Sequence, residues 1–518
     1  MGGALLVAIL AVGDSSMSND PTTTEVADSV GGGAVSTLIQ RLAGRSIHFG
    51  FQVLLSRTLG ADLYGTFSFG QSILRIFHML LSTGPMNAVV RFVSEFVAQS
   101  SFSRAKGRLI DAIALSVGLG VAVVAGVLVV DTLPSCSLFG MGGGVLGALG
   151  LLISLPAYNT LLLLSSAGRA LGAVGFGVFL YDILQPAAVL LGVGAFFLLQ
   201  ASLGNAVLGF TVGMYVACLI AVVLLWRRVP DAMKTARASH DVKGVALYAL
   251  LAGVSGVGFI VLSRIDRIML GVLSGTAETG IYTAASVIAF QVTLGMKALE
   301  AAVAPELVKL HAGGKQDQLK ALYSTTARWS MAVTIPLIVP MISFPREILA
   351  IFGGGFPLGA SVLIVLAAGQ LVRTSIGCSE QILLMTGHQK TEAWNGILLV
   401  VVNAGLNAIL IPRLGALGAA SATSLSLVLM TLLRLVQIRR LLGFLPATFA
   451  GWKPIVAGGL SVVVGMLMRS VGLHFVWKLL LGTALIIATY ALALLMMGLD
   501  DEMKGLLGLL TKRIGRSR

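Results

Sequence analysis

Apolar runs of about twenty residues recur at short intervals along almost the whole chain, and a helix of that length is what crosses a hydrocarbon core of roughly 30 Å. No ordinary water-soluble fold can bury so many. Across 518 residues the apolar share is 56%, the charged share 11% and the mean hydropathy +0.94, so the chain reads as an all-α polytopic membrane protein. About fourteen transmembrane helices are expected. A net charge of +14 would suggest nucleic acid in a soluble protein. Here the cations mark the cytoplasmic face, and no nucleic-acid partner is expected. Cys136, Cys218 and Cys378 lie far apart with no CxxC or His cluster, which defines neither a metal site nor a disulfide framework.

Charges inside the apolar runs carry the functional signal. The stretch GVSGVGFIVLSRIDRIMLGVLSGTAETGIYTAASVI, Gly253 to Ile288, holds Arg264, Asp266 and Arg267 among Phe, Ile, Val, Leu and Met. Each charge near a helix centre costs about 2.5–3.5 kcal/mol to insert, so such residues face protein or a wet lumen rather than lipid. Arg264 and Arg267, three apart, share a helix face, and Asp266 lies off it. With Gly271 as the outer end, Arg264 sits roughly 10 Å deep, whereas Arg267, at about 6 Å, can also snorkel. The first helix repeats polar residues at helical spacing (Arg41, Arg45, His48, Gln52), and so does the second (Gln71, Arg75, His78, Ser82, then Arg91 and Glu95). Gln370, Arg373 and Glu380 form a third stripe. Arg41 and Arg45 either line a lumen or pair with Asp266 or Glu95. His48 and His78 either carry protons or hydrogen-bond within the packing. Asp182, beside Pro186, either binds a coupling cation or satisfies freed backbone groups.

The chain looks doubled. LGADLYGTFSFGQSI (Leu59 to Ile73) reads as a weak copy of SGTAETGIYTAASVI (Ser274 to Ile288), matching Gly60 to Gly275 and Gly65 to Gly280, and Pro305 in VAPELVKL resembles Pro85 in TGPMNAVVRF. The expected plan is a disordered polar leader (1–30), a six-helix lobe (31–228), a basic cytoplasmic linker (229–244), a second six-helix lobe (245–440), two extra transmembrane helices (441–498) and a basic cytoplasmic tail (499–518). Residues 1–16 are most simply read as a misassigned start ahead of Met17. Connectors after even-numbered helices hold most of the Lys and Arg, which puts them and both termini in the cytoplasm. Six helices per half make the repeats parallel, with substrate expected between them.

The doubled plan, SRIDRIMLG followed by GIYTAAS, and RLGALGAASATSLSLVL near the C-terminus resemble the Wzx-type polysaccharide flippases of the multidrug, oligosaccharidyl-lipid and polysaccharide flippase superfamily. The resemblance covers about Gly31 to Gly498. It implies movement of a polyprenyl-pyrophosphate-linked oligosaccharide across the cytoplasmic membrane by alternating access, without enzymatic chemistry or a cofactor. Sodium or proton coupling is left open. Glycosyltransferases and a polymerase of the same pathway, with membrane lipids, are the implied partners. Arg41, Arg45, Arg75, Arg264, Arg267 and Arg373 are the candidate lumen cations, since guanidinium groups pair with phosphate oxygens in a bidentate way. Two rivals remain. A multidrug extruder would export cations, which arginine stripes repel, and a membrane glycosyltransferase or polymerase would need acidic catalytic residues that the short, acid-poor odd connectors do not offer.

Overall fold

The computed structural model describes residues 21–131, 149–254, 264–445, 452–472 and 474–498. Most of the leader, the tail and residues 255–263 of the Gly253–Ile288 stretch lie outside them. All regular structure among the described residues is helical. In order these are α1 (Pro21–Ala98), α2 (Phe102–Asp131), α3 (Leu155–Ala170), α4 (Val174–Val178), α5 (Gln185–Leu199), α6 (Leu203–Arg228), α7 (Asp231–Thr235), α8 (Val242–Val254) and α9 (Ile265–Leu273). There follow α10 (Thr276–Ala289), α11 (Thr293–Ala312), α12 (Gln316–Ser343), α13 (Pro345–Leu349), α14 (Ala360–Ser375), α15 (Ser379–Met385), α16 (Gln389–Leu442), α17 (Trp452–Arg469) and α18 (Phe475–Met496).

Eleven helical stretches among the described residues are long and apolar enough to cross a membrane, against the fourteen expected. Two of the three missing spans have a physical cause. Ile39–Ala98 has 60 residues and Gln389–Leu442 has 54, far more than one crossing needs. Helical hydrogen bonding runs on through a sharp turn in each, at Gly60 (φ 74°, ψ 178°) and Gly415 (φ 57°, ψ −132°). Both sets of angles belong to glycine. Each long helix therefore has two membrane-length arms. The apolar helix Val242–Gly253 is too short to span alone.

Gly32–Gly280 forms one compact unit and the described residues from Ile281 onward form another. The division falls within α10, downstream of the linker where the sequence puts it. In the first unit α8 and α9 pack on the second arm of α1. A Cβ on Gly84 would lie 2.0 Å from the Ala249 carbonyl, and one on Gly271 would lie 2.4 Å from the Phe69 ring. Gly192 and Gly209 bring α5 and α6 into backbone contact, the small-residue packing that substitutes for a hydrophobic driving force in lipid. Phe51, Phe67 and Phe210 fill the space between, with ring centroids 5.9–6.2 Å apart. In the second unit α17 and α18, the two extra helices, pack on α12 through Met331, Ile335, Phe344, Ile486 and Tyr490. Tyr490 Oη donates to the Ala332 carbonyl at 3.2 Å.

The matched glycines behave alike. Gly60 and Gly275 both take positive φ, 74° and 101°, and each opens a helical segment. Gly65 faces the Thr276 carbonyl while Gly280 faces the Ala61 carbonyl, so aligned residues exchange the same contact. Pro85 and Pro305 both lie inside helices. A Cβ at Gly65 would stand 1.7 Å from the Thr276 oxygen. Gly65→Val should therefore destabilise by at least the about 1–3 kcal/mol of an overpacked core, read as a lower melting temperature in detergent.

The basic connector, polar by composition, is a built segment. Met233 on α7 is buried, Lys106 Nζ donates to the carbonyls of Lys234 (2.7 Å) and Ala236 (3.0 Å), and Ser103 Oγ donates to that of Arg237. Asp111 accepts from His240 Nδ1 (2.6 Å) and the Asp241 amide (2.7 Å), and Arg108 pairs with Asp241 at 3.0 Å. These contacts clasp the connector onto the start of α2.

Candidate functional site

Five of the six arginines expected to line a lumen lie in the first unit, in two groups. Arg75 and Arg264 share a field with Arg267 around His48. Arg41 and Arg45 gather with Arg169 around Asp182. Arg169 ends α3 and reads from sequence as a connector cation; nothing in its local pattern marks it as part of a cluster.

His48 orients the first group. Its Nε2 faces Gln52 Nε2 at 3.2 Å and Arg75 Nη2 at 3.5 Å, both donors, so this nitrogen accepts and the ring is neutral. Gln52 is fixed in turn by Tyr64, whose hydroxyl donates to Oε1 at 2.9 Å. The helical spacing of Arg41, Arg45, His48 and Gln52 thus ends in a hydrogen-bonded support for Arg75. His78 is buried and stacked on Tyr158, with centroids 3.8 Å apart and planes 6° from parallel. Its Nδ1 donates to Asn159 Oδ1 at 2.8 Å and its Nε2 accepts from Tyr181 Oη at 3.2 Å. The contacts of both histidines are those of packing residues.

The face-sharing of Arg264 and Arg267 is modified by the backbone. Arg264 caps α9 with φ −135° and ψ −9°, so the i,i+3 rule for a continuous helix does not describe the pair. Both are half-buried, as is Asp266 in the first turn of α9.

The sequence leaves Asp266 or Glu95 open as the ion-pair partner of Arg41 or Arg45, as the alternative to lining a lumen. The structure instead sets Asp182 opposite Arg41, with Nε to Oδ2 at 3.8 Å. Glu95 is exposed near the end of α1. Asp182 lies in a π-helical segment, Phe179–Leu184, between α4 and α5. Pro186 explains that turn. It has no N–H, and in an α-helix its ring would strike the carbonyl four residues back, that of Asp182. The widened turn relieves the clash, and the Gln185 amide bonds to the Leu180 carbonyl five residues back. The Asp182 carbonyl turns toward α1, where a Cβ on Gly44 would lie 1.6 Å from it.

Arg373 lies in the second unit with counter-charges. Its Nη2 stands 3.9 Å from Glu380 Oε2, and Arg434 Nη2 stands 3.5 Å from the same oxygen. Arg434 also grips Glu392 with Nη2 on Oε1 and Nε on Oε2, the latter at 3.2 Å. Asn395 and Gln437 exchange amide hydrogen bonds of 2.8 and 2.7 Å beside it. Gly377 (φ 63°) divides α14 from α15, so Gln370, Arg373 and Glu380 do not share one continuous helix.

The two units thus differ in chemistry. Arginines outnumber acids around the first-unit clusters, and the buried Nε atoms of Arg75 and Arg169 have no hydrogen-bond acceptor. Such donors suit an anion with several oxygens. In the second unit the cations are matched by carboxylates.

Residues 30–311 match the family described as Polysaccharide biosynthesis protein. Over 190 residues the chain is 30% identical to the "Probable low-salt glycan biosynthesis flippase Agl15" of Haloferax volcanii, covering 36% of this chain and 40% of that one. It is 27% identical over 206 residues to the "Probable flippase AglR" of the same organism, covering 39% and 43%. The chain therefore spans well under half the length of these curated relatives. Among solved structures, an inward-facing multidrug resistance MATE family transporter of the MOP superfamily superposes with a TM-score of 0.68 at 13% identity, covering 78% of this chain and 98% of that one. The lipid II flippase MurJ in an inward closed conformation gives 0.65 at 15%, covering 89% and 97%. At these identities the likeness is one of fold. With more than half of its length matched, the chain belongs to the polysaccharide biosynthesis protein family.

Proposed function

We propose that this protein is a flippase that carries a polyprenyl-(pyro)phosphate-linked oligosaccharide across the cytoplasmic membrane for surface glycan assembly. The observation that carries the reading is the arginine cluster of the first unit, Arg75, Arg264 and Arg267 around a neutral His48, in which Arg75 Nε is buried with no acceptor. A phosphate headgroup brings several oxygens to a cluster of guanidinium donors, and fixed donors compensate its charge where water is scarce. Family membership, flippase relatives and a fold shared with a lipid II flippase support it. The fold shared with a multidrug transporter makes cation extrusion the competing reading. An excess of fixed cations disfavours it.

Deleting the protein should leave lipid-linked oligosaccharide made but trapped with its sugar toward the cytoplasm, and leave sensitivity to cationic dyes unchanged. Purified protein in vesicles that pumped dyes against a sodium or proton gradient, with glycan export intact in the deletion strain, would establish the extruder instead. The same reading assigns about fourteen crossings with both termini cytoplasmic. In a cysteine-free background, Ala277→Cys should react with an impermeant maleimide from outside, and Gln316→Cys only after permeabilisation. The reverse pattern inverts the topology.

A further inference from the structure

We infer that Asp182 is an internal counter-anion, a carboxylate that holds Arg41 and Arg45 when no headgroup is bound and competes with the headgroup for them, so that it favours release over retention. The inference rests on the reading of the arginine clusters as a headgroup site.

Three observations carry it. Asp182 faces three arginines, Arg41, Arg45 and Arg169, yet holds none tightly: among the described residues its ion pair within 4 Å is Arg41, at 3.8 Å. The two side chains are 61% and 35% exposed, so water can enter and the pair can part. Two buried acids of the chain show what a structural carboxylate looks like here. Asp111 is 3% exposed and accepts two hydrogen bonds of 2.6 and 2.7 Å. Glu392 is clamped on both oxygens by Arg434. Asp182 has neither kind of hold.

The backbone beneath it is fixed while the carboxylate is loose. Pro186 forces the π-turn, and Gly44 lets α1 rest against the Asp182 carbonyl, so the side chain leaves a pinned position. Its neighbour Tyr181 reaches the other way and donates to His78. Adjacent residues on one short turn therefore point apart, Tyr181 to His78 and Asp182 to Arg41. A phosphate brings more oxygens and more charge to Arg41 and Arg45 than one carboxylate at 3.8 Å. It displaces the carboxylate on entry, and the carboxylate reclaims the arginines on exit.

The test uses the full chain in detergent and in vesicles, with farnesyl pyrophosphate as the binding probe and a fluorescent polyprenyl-pyrophosphate-linked sugar for flipping. Asp182→Asn should bind the probe about fivefold more tightly, the effect of removing a partly exposed like charge. Its flipping rate at saturating substrate should fall by a similar factor. Asp182→Glu, which keeps the charge, should stay near wild type in both, and the affinity gain of the Asn variant should shrink at high salt. Should Asp182→Asn lower the folded yield, Asp182→Ser carries the same test at this half-exposed position. Unchanged affinity and rate in the neutral variants would overturn the inference, and so would a joint loss of affinity, rate and thermal stability, which marks a structural acid. Failure of the headgroup reading looks different: the wild-type protein would bind no farnesyl pyrophosphate, or bind it equally well after Arg41→Ala and Arg45→Ala.

Discussion

Arg264→Ala should abolish glycan export while the protein still reaches the membrane at normal abundance, and Arg75→Ala should do the same. Each removes charge-assisted donors from the cluster around His48. A hydrogen bond to a charged group contributes about 1.5–3 kcal/mol, so headgroup binding should weaken roughly 10- to 150-fold. Lysine at either position should restore only part of the loss, because a point charge lacks the planar fork that engages two phosphate oxygens. The readout is surface glycan in a strain without its native copy, with membrane abundance measured in parallel. Normal surface glycan in both alanine strains would remove this cluster from the transport site.

The second large effect is on stability. Glu392 and Arg434 are each 10% exposed and joined through both carboxylate oxygens. Arg434→Leu would leave Glu392 buried without its partner and strip Glu380 of its contact at 3.5 Å. Removing one member of a buried pair costs about 3–5 kcal/mol, because the remaining charge is neither hydrated nor matched. The double change Glu392→Leu with Arg434→Leu should recover much of that loss, since a well-packed apolar pair can equal a buried ionic one. Thermal unfolding in detergent reads both. A double variant no more stable than Arg434→Leu alone would mean that the carboxylate contributes more than charge balance.

Local signals in the sequence translate well into structure. Gly60 and Gly275, aligned as a weak repeat, both adopt positive φ, a conformation other residues rarely take, so the type of residue reveals the geometry. Helix ends are less legible, since α1 and α16 run on through their turns at Gly60 and Gly415 and α12 begins in the polar stretch at Gln316. Partners across long separations do not translate. Arg434 and Glu392 are 42 positions apart, and neither helical spacing nor composition singles them out. Asp266 and Glu95 are the acids that the sequence offers Arg41 and Arg45 as partners, whereas folding brings Asp182 to Arg41 from another helix. The connector was legible only as basic and polar. Three of the hydrogen bonds that clasp it go to backbone carbonyls of 234–237, which every sequence possesses.

The π-turn at Phe179–Leu184 sets the phase of everything after it. It accommodates one residue more than the α-turn it replaces, and one residue corresponds to about 100° of rotation around a helix axis. Deleting a single position there would give a smoother, more regular helix and still misdirect Tyr181, Asp182 or the face of α5 that packs on α6. Relatives that lack the proline should accordingly be aligned with a one-residue gap inside a transmembrane helix, a place where gaps are ordinarily refused. A helix-breaking proline and an extra residue would then have been gained or lost together.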